Sequence, residues 1–557
     1  MRLADGLGNP VLGLEAVVME KRSVYTPDVR ADFVAGFMVF LIALPLCLGI
    51  AMASGFPPVT GIVTAIVGGL VATFLGSAEL TIKGPAAGLI VIALGAVQEL
   101  GGGDPVMGYR RAIAIVVVAG VLQALLARLR AGVLGEVFPS AVVHGMLAAI
   151  GTIIVSKQAH TMLGVAPTAK EPLFLLAEIP RSVLTMNPEV ALIGVTSLIL
   201  LFGIPKLPLS WAKKVPAPMV VLLLMVPLGM FLDLGHEHTY DFGLHHYKVG
   251  PQYLVQLPGS LAKSYALPDV SMLFTWVSLK YIVMFTLVGS LESLLSAKAV
   301  DALDPQHRHS DLNKDLFATG VGNVIAGLLG GLPMISEIVR SSANLNSGAH
   351  SRYANFFHGL LLLFMVVFLP GLLQKIPLAA LGAMLVYTGI RLASPAEFVR
   401  VFRIGQEQLV LFVTTLVVTL ATDLLVGVGA GVLLKLALHL WRGAPLRNLF
   451  VNRISAEELS LDQGVRLRVH GAAVFSNFLS LKRQIDDVPE SVNRVVIDLD
   501  GTRLVDHTVI EKLHRMTEDW QRAGRMLLVE GLENHAPVAN HVLSARRKRK
   551  VPVPKLS

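Results

Sequence analysis

Long apolar runs dominate the first four-fifths of this chain. Runs close to the 17–25 residues that cross roughly 30 Å of hydrocarbon as helix fall at 32–54, 59–77, 109–130, 138–156, 189–206, 216–234, 275–297, 355–373, 376–393, 408–424 and 426–441. Shorter or more broken stretches lie at 86–98, 172–186 and 334–348, and a further apolar stretch at 316–330. The total is about fourteen or fifteen segments. Topology favours fourteen, because an even count puts both termini on one side and the basic residues mark that side as cytoplasmic. Arg22 and Arg30 precede the first span, Arg128 and Arg130 follow the fourth, and Lys206, Lys213 and Lys214 lie between the sixth and seventh. Lys298 and Arg308 follow the eighth, Arg352 the tenth, Arg391, Arg400 and Arg403 the twelfth, and Arg442 the last. The segment 235–268 then lies outside, with only Lys248 and Lys263 among its basic residues.

After about residue 450 the pattern changes. Val465 to His470 alternate like an edge strand, and Arg494 to Asp500 read as a buried strand. Val509 to Trp520 form an amphipathic helical pattern, and Ala523-Gly524 precede the strand 526–529. Strands alternating with helices indicate a small α/β domain.

Composition sharpens this division. The 557 residues are 54% hydrophobic and 15% charged, with a mean hydropathy of +0.65, against roughly 25% charged in a soluble chain; an ordinary cytosolic enzyme is excluded. The last 107 positions hold 31 of the 86 Lys, Arg, Asp and Glu residues, so the charge-poor part is the membrane part. The net charge of +8 follows from basic cytoplasmic loops and calls for no nucleic acid partner. The single cysteine, Cys47, excludes an intramolecular disulfide and argues against thiol-ligated zinc or iron–sulfur sites. The first 27 residues mix Arg2, Asp5, Glu15, Glu20, Lys21 and Arg22 with Gly and Pro, without the apolar core of a secretory signal.

Two short segments carry the most chemistry. One runs from Gly76-Ser77 through Lys83 to Gly84-Pro85-Ala86-Ala87-Gly88; the other is Gly330-Gly331-Leu-Pro333-Met334-Ile335-Ser336-Glu337-Ile338-Val339-Arg340. Each puts Gly and Pro directly before a short helical stretch, where proline's missing N–H costs nothing. A helix that starts inside the membrane leaves N–H groups unpaired, tolerable only where they line a cavity and meet a ligand. The positive end of the helix dipole selects an anion. Paired broken segments in third and tenth position point to a secondary transporter with inverted repeats; loop punctuation or a simple kink is the plainer alternative.

Ionisable groups within spans are costly and mark function. Glu292 lies mid-span with Ser296 one turn later on the same face, a pair that suits Na⁺ or a proton acceptor with a supporting donor. A structural pairing of Glu292 with Arg340 is the competing reading. Glu337 is unexpected beside an anion site; facing away, a second protonatable group and a partner for a cation all stay open. Lys83 reads as lying at the cytoplasmic mouth. His236, His238, His245 and His246 sit among acids in the outer loop but match no zinc spacing. Gly101-Gly-Gly103 reads as a surface turn. There is no phosphate-binding loop to couple transport to ATP and no constellation that supports an enzyme.

These residues carry a resemblance. Phe40 to Gly61, with Pro45, Gly55 and Pro57-Pro58, is similar to the first span and following turn of the sulfate permease (SulP) family. Gly76-Ser77 with Gly84-Pro85-Ala86 resembles its third-span motif. Glu292-Ser-Leu-Leu-Ser296 with Gly320-Val-Gly-Asn323 resembles its eighth and ninth spans, and Arg340-Ser-Ser-Ala-Asn344 with Gly348-Ala-His-Ser-Arg352 its tenth. The likeness runs from about residue 25 to 545. It implies a polytopic α-helical membrane protein of about fourteen spans in a seven-plus-seven inverted repeat, a core domain moving against a gate domain, a homodimer, and small anions as substrates. Sulfate and bicarbonate lead; chloride, nitrate and dicarboxylates follow. The implied substrate site is Gly84, Pro85, Ala86, Ala87, Met334, Ile335, Ser336 and Arg340. In the bicarbonate-transporting branch an acid and a hydroxyl with the spacing of Glu292 and Ser296 help bind Na⁺; with the longer acid and smaller alcohol found here, Na⁺ and H⁺ both remain as coupling ions. No other cofactor is implied. Arg340 matches an arginine that supplies positive potential or pairs with an acid, and Val339 replaces a frequent serine. An uncoupled anion channel, an anion-sensing regulator and a nucleobase permease are the alternatives on the same scaffold.

The soluble part resembles a STAS domain. Its signature loop, commonly Asp-Ser-Ser-Gly, is here Asp506-His507-Thr508-Val509, which leaves Thr508 as the one nearby phosphate acceptor; dimer contacts or coupling to the membrane domain are the preferred role. The expected division is a cytoplasmic segment 1–27, a transporter domain 28–443, a STAS-like domain 444–545 and a basic tail 546–557. Arg546 to Lys550 would face anionic lipid or simply solvent.

Overall fold

The computed structural model describes residues 28–136, 138–169, 171–208, 215–242, 245–256, 266–306, 308–459, 464–489, 491–522 and 524–549. The segment 1–27 with Arg22, and Lys213, Lys214, Lys263, Ala523, Lys550 and the tail 551–557 lie outside the described residues. Among the described residues, eight helices are long and apolar enough to cross a bilayer: 29–53, 58–75, 105–128, 140–162, 188–206, 276–301, 378–404 and 424–441. Shorter apolar helices at Ala87–Gly101, Ala217–Phe231, Tyr353–Phe368 and Gln406–Ala421, with Leu312–Leu328 and Ile338–Asn346, complete fourteen spans. The apolar stretch 172–186 is not one of them. It forms the 13-residue helix Pro172–Leu184, with Pro180 inside it, and the adjoining Thr168 and Ala169 N–H groups bind Glu178.

Six spans are capped by a side chain of their own segment. Asp28, Asp104, Asn187, Thr275, Asp311 and Asp423 each accept backbone N–H groups at the start of spans 1, 4, 6, 8, 9 and 14, satisfying donors that a helix end leaves orphaned. The two interior starts are set apart by the short strands that precede them. Before span 3 lies strand β1 (Ile82–Pro85) and the one-turn helix Ala87–Leu89, and span 10 follows a strand too; neither start has a side-chain cap from its own segment. Within the segment 235–268, β2 (His238–Phe242) and β3 (His245–Val249) form a hairpin. Strand β4 (Met334–Glu337) precedes span 10 and pairs antiparallel with β1.

The packing repeats on adding seven. Span 1 lies on span 11 and span 8 on span 4; span 2 on span 11 and span 9 on span 4; span 13 on span 5 and span 6 on span 12. Glycine makes two of these contacts close, and that of spans 5 and 12 as well. A Cβ on Gly69 or Gly359 would strike the other's backbone, as would one on Gly120 or Gly320, or on Gly151 or Gly389. The first two pairs are repeat equivalents (spans 2–11 and 9–4), and the third joins spans 5 and 12. Without a hydrophobic force between helices in lipid, such small-residue contacts let backbones approach and gain dispersion energy. Spans 1–4 and 8–11 form the core and spans 5–7 and 12–14 the gate.

The soluble domain is a seven-stranded sheet. Its strands are β5 (Arg453–Leu459), β6 (Gly464–Ala473), β7 (Arg494–Asp498), β8 (Thr502–Val505), β9 (Met526–Glu530), β10 (His535–Pro537) and β11 (Arg546–Lys548). Helices Phe478–Asp486 and His507–Arg522 pack on it. The stretch 465–470, expected at an edge, is interior: β6 pairs with β7 on one side, and on the other with β5 along 464–470 and then with β8 at 471–473. The basic cluster is likewise not all tail, because β11 pairs with β8 and β10.

This domain rests on the membrane helices at several points. Ser140 Oγ at the start of span 5 donates to Glu511 Oε2 at 2.6 Å. His439 Nε2 near the end of span 14 lies 3.4 Å from Asp506 Oδ2. Helix Phe478–Asp486 packs on the turn Ala131–Glu136 that follows span 4. Burial raises the Glu511 carboxyl, but the Ser140 hydroxyl, Arg515, His507 and His144 outweigh it and hold the group below the usual carboxylate range.

Candidate functional site

The β1–β4 pairing brings the two broken spans head to head. Lys83 stands across from Ser336, Gly84 from Ile335 and Pro85 from Met334, and Ala86 N–H donates to Pro333 O at 3.3 Å. Side chains clamp the outer edges. Asn323 accepts from Met334 N–H at 2.6 Å, and donates to Met334 O at 3.1 Å and to Gln123 Oε1 at 2.8 Å. Thr64 Oγ1 donates to Leu332 O at 3.0 Å. Ser341 Oγ accepts from Ile82 N–H at 2.8 Å, and Asn344 Nδ2 donates to Leu80 O at 3.0 Å. Non-helical backbone at membrane depth survives only when neighbours satisfy it like this.

Successive side chains of a strand point to opposite faces, and the strand pair separates two charged groups. On one face Lys83 Nζ lies 2.8 Å from both oxygens of Asp315 and 2.8 Å from Ser336 Oγ, while Ser293 Oγ accepts the Ser336 N–H at 3.2 Å. Lys83 is therefore not at the cytoplasmic mouth. It is 1% exposed, because a lysine one residue before Gly84 is carried inward with the strand and is neutralised by span 9. Ser336, implied as a substrate contact, turns its hydroxyl toward this pair.

The other face holds Glu337, Glu292 and Arg340, all buried. Glu337 Oε1 accepts the Ala87 N–H at 3.1 Å, so a residue of span 10 caps span 3. A Cβ on Gly88 would collide with the Glu292 carboxylate, whose Oε1 has no hydrogen-bond partner. Arg340 extends along the strands: Nη2 donates to Pro85 O at 3.4 Å, Nη1 lies 3.6 Å from Cys47 Sγ, and Nε is unpartnered. A Cβ on Gly84 would come within 2.5 Å of Nη1. Gly84 and Gly88 thus leave room for side chains delivered by the other half of the molecule. Among the described residues there is no ion pair between Glu292 and Arg340. Ser296, one turn beyond Glu292, is partly exposed. Ala86, Met334 and Ile335 are buried beside the helix starts, and Val339 faces outward.

Away from this centre, His236 Nδ1 lies 2.7 Å from Asp233, His238 Nδ1 lies 3.1 Å from His236 O, and His246 pairs with Asp241. Thr508 is fully buried with an unpartnered hydroxyl, so a phosphate there would require the domain to open. Sequence reasoning passed over Asp315, Ser293 and Cys47 as parts of the site. For Asp315 the one local signal was a charge at the edge of the apolar stretch 316–330; Asn323 was visible in a motif, without its role.

The sequence profile described as "Sulfate permease family" matches residues 29–415. The chain belongs to the sulfate permease family. Relatives include the putative sulfate transporter YvdB of Bacillus subtilis, 23% identical with 91% of this chain and 92% of that protein covered, and the bicarbonate transporter BicA of Synechocystis, 24% identical with 91% and 89% covered. Among solved structures, the transmembrane domain of a cyanobacterial BicA matches 72% of this chain and 97% of that one, with a TM-score of 0.59 and 23% identity. Murine Slc26a9, an anion transporter solved in an inward-facing state, matches over 91% and 86% with a TM-score of 0.65 and 14% identity. The sulfate permease fold, with its membrane domain and the α/β domain behind it, accounts for nearly the whole chain.

Proposed function

We propose that this sulfate permease family member is a secondary active transporter of small inorganic anions, with sulfate and bicarbonate the leading substrates. One observation carries the reading: two broken helices meet head to head inside the membrane, with Ala87, Gly88 and the start of span 10 offering backbone donors and helix-dipole charge to one small volume. Relatives named as sulfate and bicarbonate transporters support the substrate class. Gly84, Pro85, Ala86, Ala87, Met334, Ile335 and Arg340 surround the anion; Arg340, holding the Pro85 carbonyl, supplies potential rather than a tight direct bond. The core carries this site against the gate in alternating access. The protein lies in the cell's inner membrane as a homodimer among lipid, with both termini cytoplasmic.

Glu292 is the coupling group in this reading. A passive anion path gains nothing from a buried carboxylate with an unpartnered oxygen, whereas a carrier that must take a cation along needs one. Uptake of labelled sulfate and bicarbonate into proteoliposomes, with an imposed H⁺ or Na⁺ gradient and a no-gradient control, tests the reading. Glu292→Gln should abolish gradient-driven accumulation and leave anion binding in place; accumulation unchanged in that variant removes Glu292 from coupling. Flux that ignores every cation gradient would favour a channel or an exchanger.

A further inference from the structure

Resting on the transporter reading, one group still lacks a role: the second carboxylate. Glu337 reaches across from span 10 and takes the Ala87 N–H, the first free donor of span 3. It does so in a space already holding the unpartnered Glu292 oxygen and the unpartnered Arg340 Nε. Those orphaned groups are each more than nine-tenths buried, so the volume is built to be completed by a ligand. The formal charges sharpen the point. Lys83 and Asp315 cancel on the far face, leaving two carboxylates against one guanidinium around a site meant for an anion.

We propose that Glu337 is a tethered competitor for the substrate: its carboxylate holds the backbone donor that the transported anion needs, and the anion binds by displacing it. A carboxylate on an N–H is the same charge-assisted bond that an incoming oxyanion would make, so the two cannot share it. The groups facing Glu337 fit such an exchange. Arg340 and Cys47 lie on the side toward span 1, Glu292 on span 8, and His358 of span 11 near Arg340. Once displaced, the carboxylate meets the guanidinium rather than bare lipid. Affinity is thereby set low enough for release, because the competitor returns when the anion leaves. A purely structural cap would instead stabilise the site for the anion.

The test is the concentration dependence of sulfate and bicarbonate uptake by full-length protein in proteoliposomes, paired with anion-dependent thermal stabilisation of the detergent-purified chain. Glu337→Ala should lower the apparent KM and the stabilising anion concentration by about ten- to hundredfold, the range of one hydrogen bond to a charged group. Glu337→Gln keeps the shape and an acceptor oxygen without the charge, and should give a smaller decrease; it also covers the case in which the alanine variant does not fold. Wild-type uptake with an unchanged or raised KM in the folded variants would overturn the competitor role alone. Wild-type protein that neither transports nor is stabilised by any tested anion would overturn the transporter reading, and this inference with it.

Discussion

The two broken spans occupy equivalent places in the repeat, yet they bring opposite things to the centre. Span 3 contributes backbone: Ala86, Ala87 and Gly88 leave its first turn bare. Span 10 contributes side chains, sending Glu337 to the Ala87 N–H and Arg340 to the Pro85 carbonyl. The symmetry of the fold places two helix ends together; the asymmetry of the sequence makes one of them a source of backbone and the other a source of charged side chains. A symmetric site with charges from both halves would crowd itself, as the collisions awaiting a Cβ on Gly84 or Gly88 show.

The largest break in this comparison is to put a side chain on the bare half. Gly88→Val drives a branched group into the Glu292 carboxylate, so uptake should fall to background while the protein still elutes as a folded species; near-normal uptake would show that span 3 does not line the path. Next is the face that the two halves share. Lys83→Met leaves Asp315 uncompensated in the interior and should destabilise the protein by about 3–5 kcal/mol, whereas adding Asp315→Leu should recover most of that loss. Thermal unfolding of the single and double variants measures it; equal stability of the two would mean the pair is not buried as described. The smallest effect lies outside the membrane. The Glu511 carboxyl is held below its unfolded value, so its contribution is present above the unfolded pKa, near 4.5, and is lost as the pH falls through the lower folded value. Glu511→Gln should flatten the acid limb of soluble-domain stability, read by limited proteolysis between pH 3 and 6 (roughly the window spanning that titration).

The fourteen spans were legible because hydrophobic length is a local property, and the two breaks because Gly and Pro announce themselves. What joins them was not. Strands β1 and β4 are four residues each and exist only through one another, with Lys83 meeting Asp315 across 232 positions. Read alone, Lys83 looks like a loop lysine and Glu337 like an intruder. The soluble sheet shows the same limit: β6 alternates as an edge strand does, yet β5, with polar Arg453, Ser455 and Glu457 along it, covers its free side. The cluster from Arg546 resembles a tail until β8 is seen beside it.

The footing of the soluble domain has a mechanical consequence. Ser140 and His439 tie it to gate spans, while helix Phe478–Asp486 leans on the turn that ends core span 4. A body with one foot on each of two parts cannot follow both if they move apart. In the proposed alternating access, each stroke of the core against the gate would either slip the second contact or drag the domain along, so the stiffness of that foothold would set the friction of the cycle from beside the membrane helices.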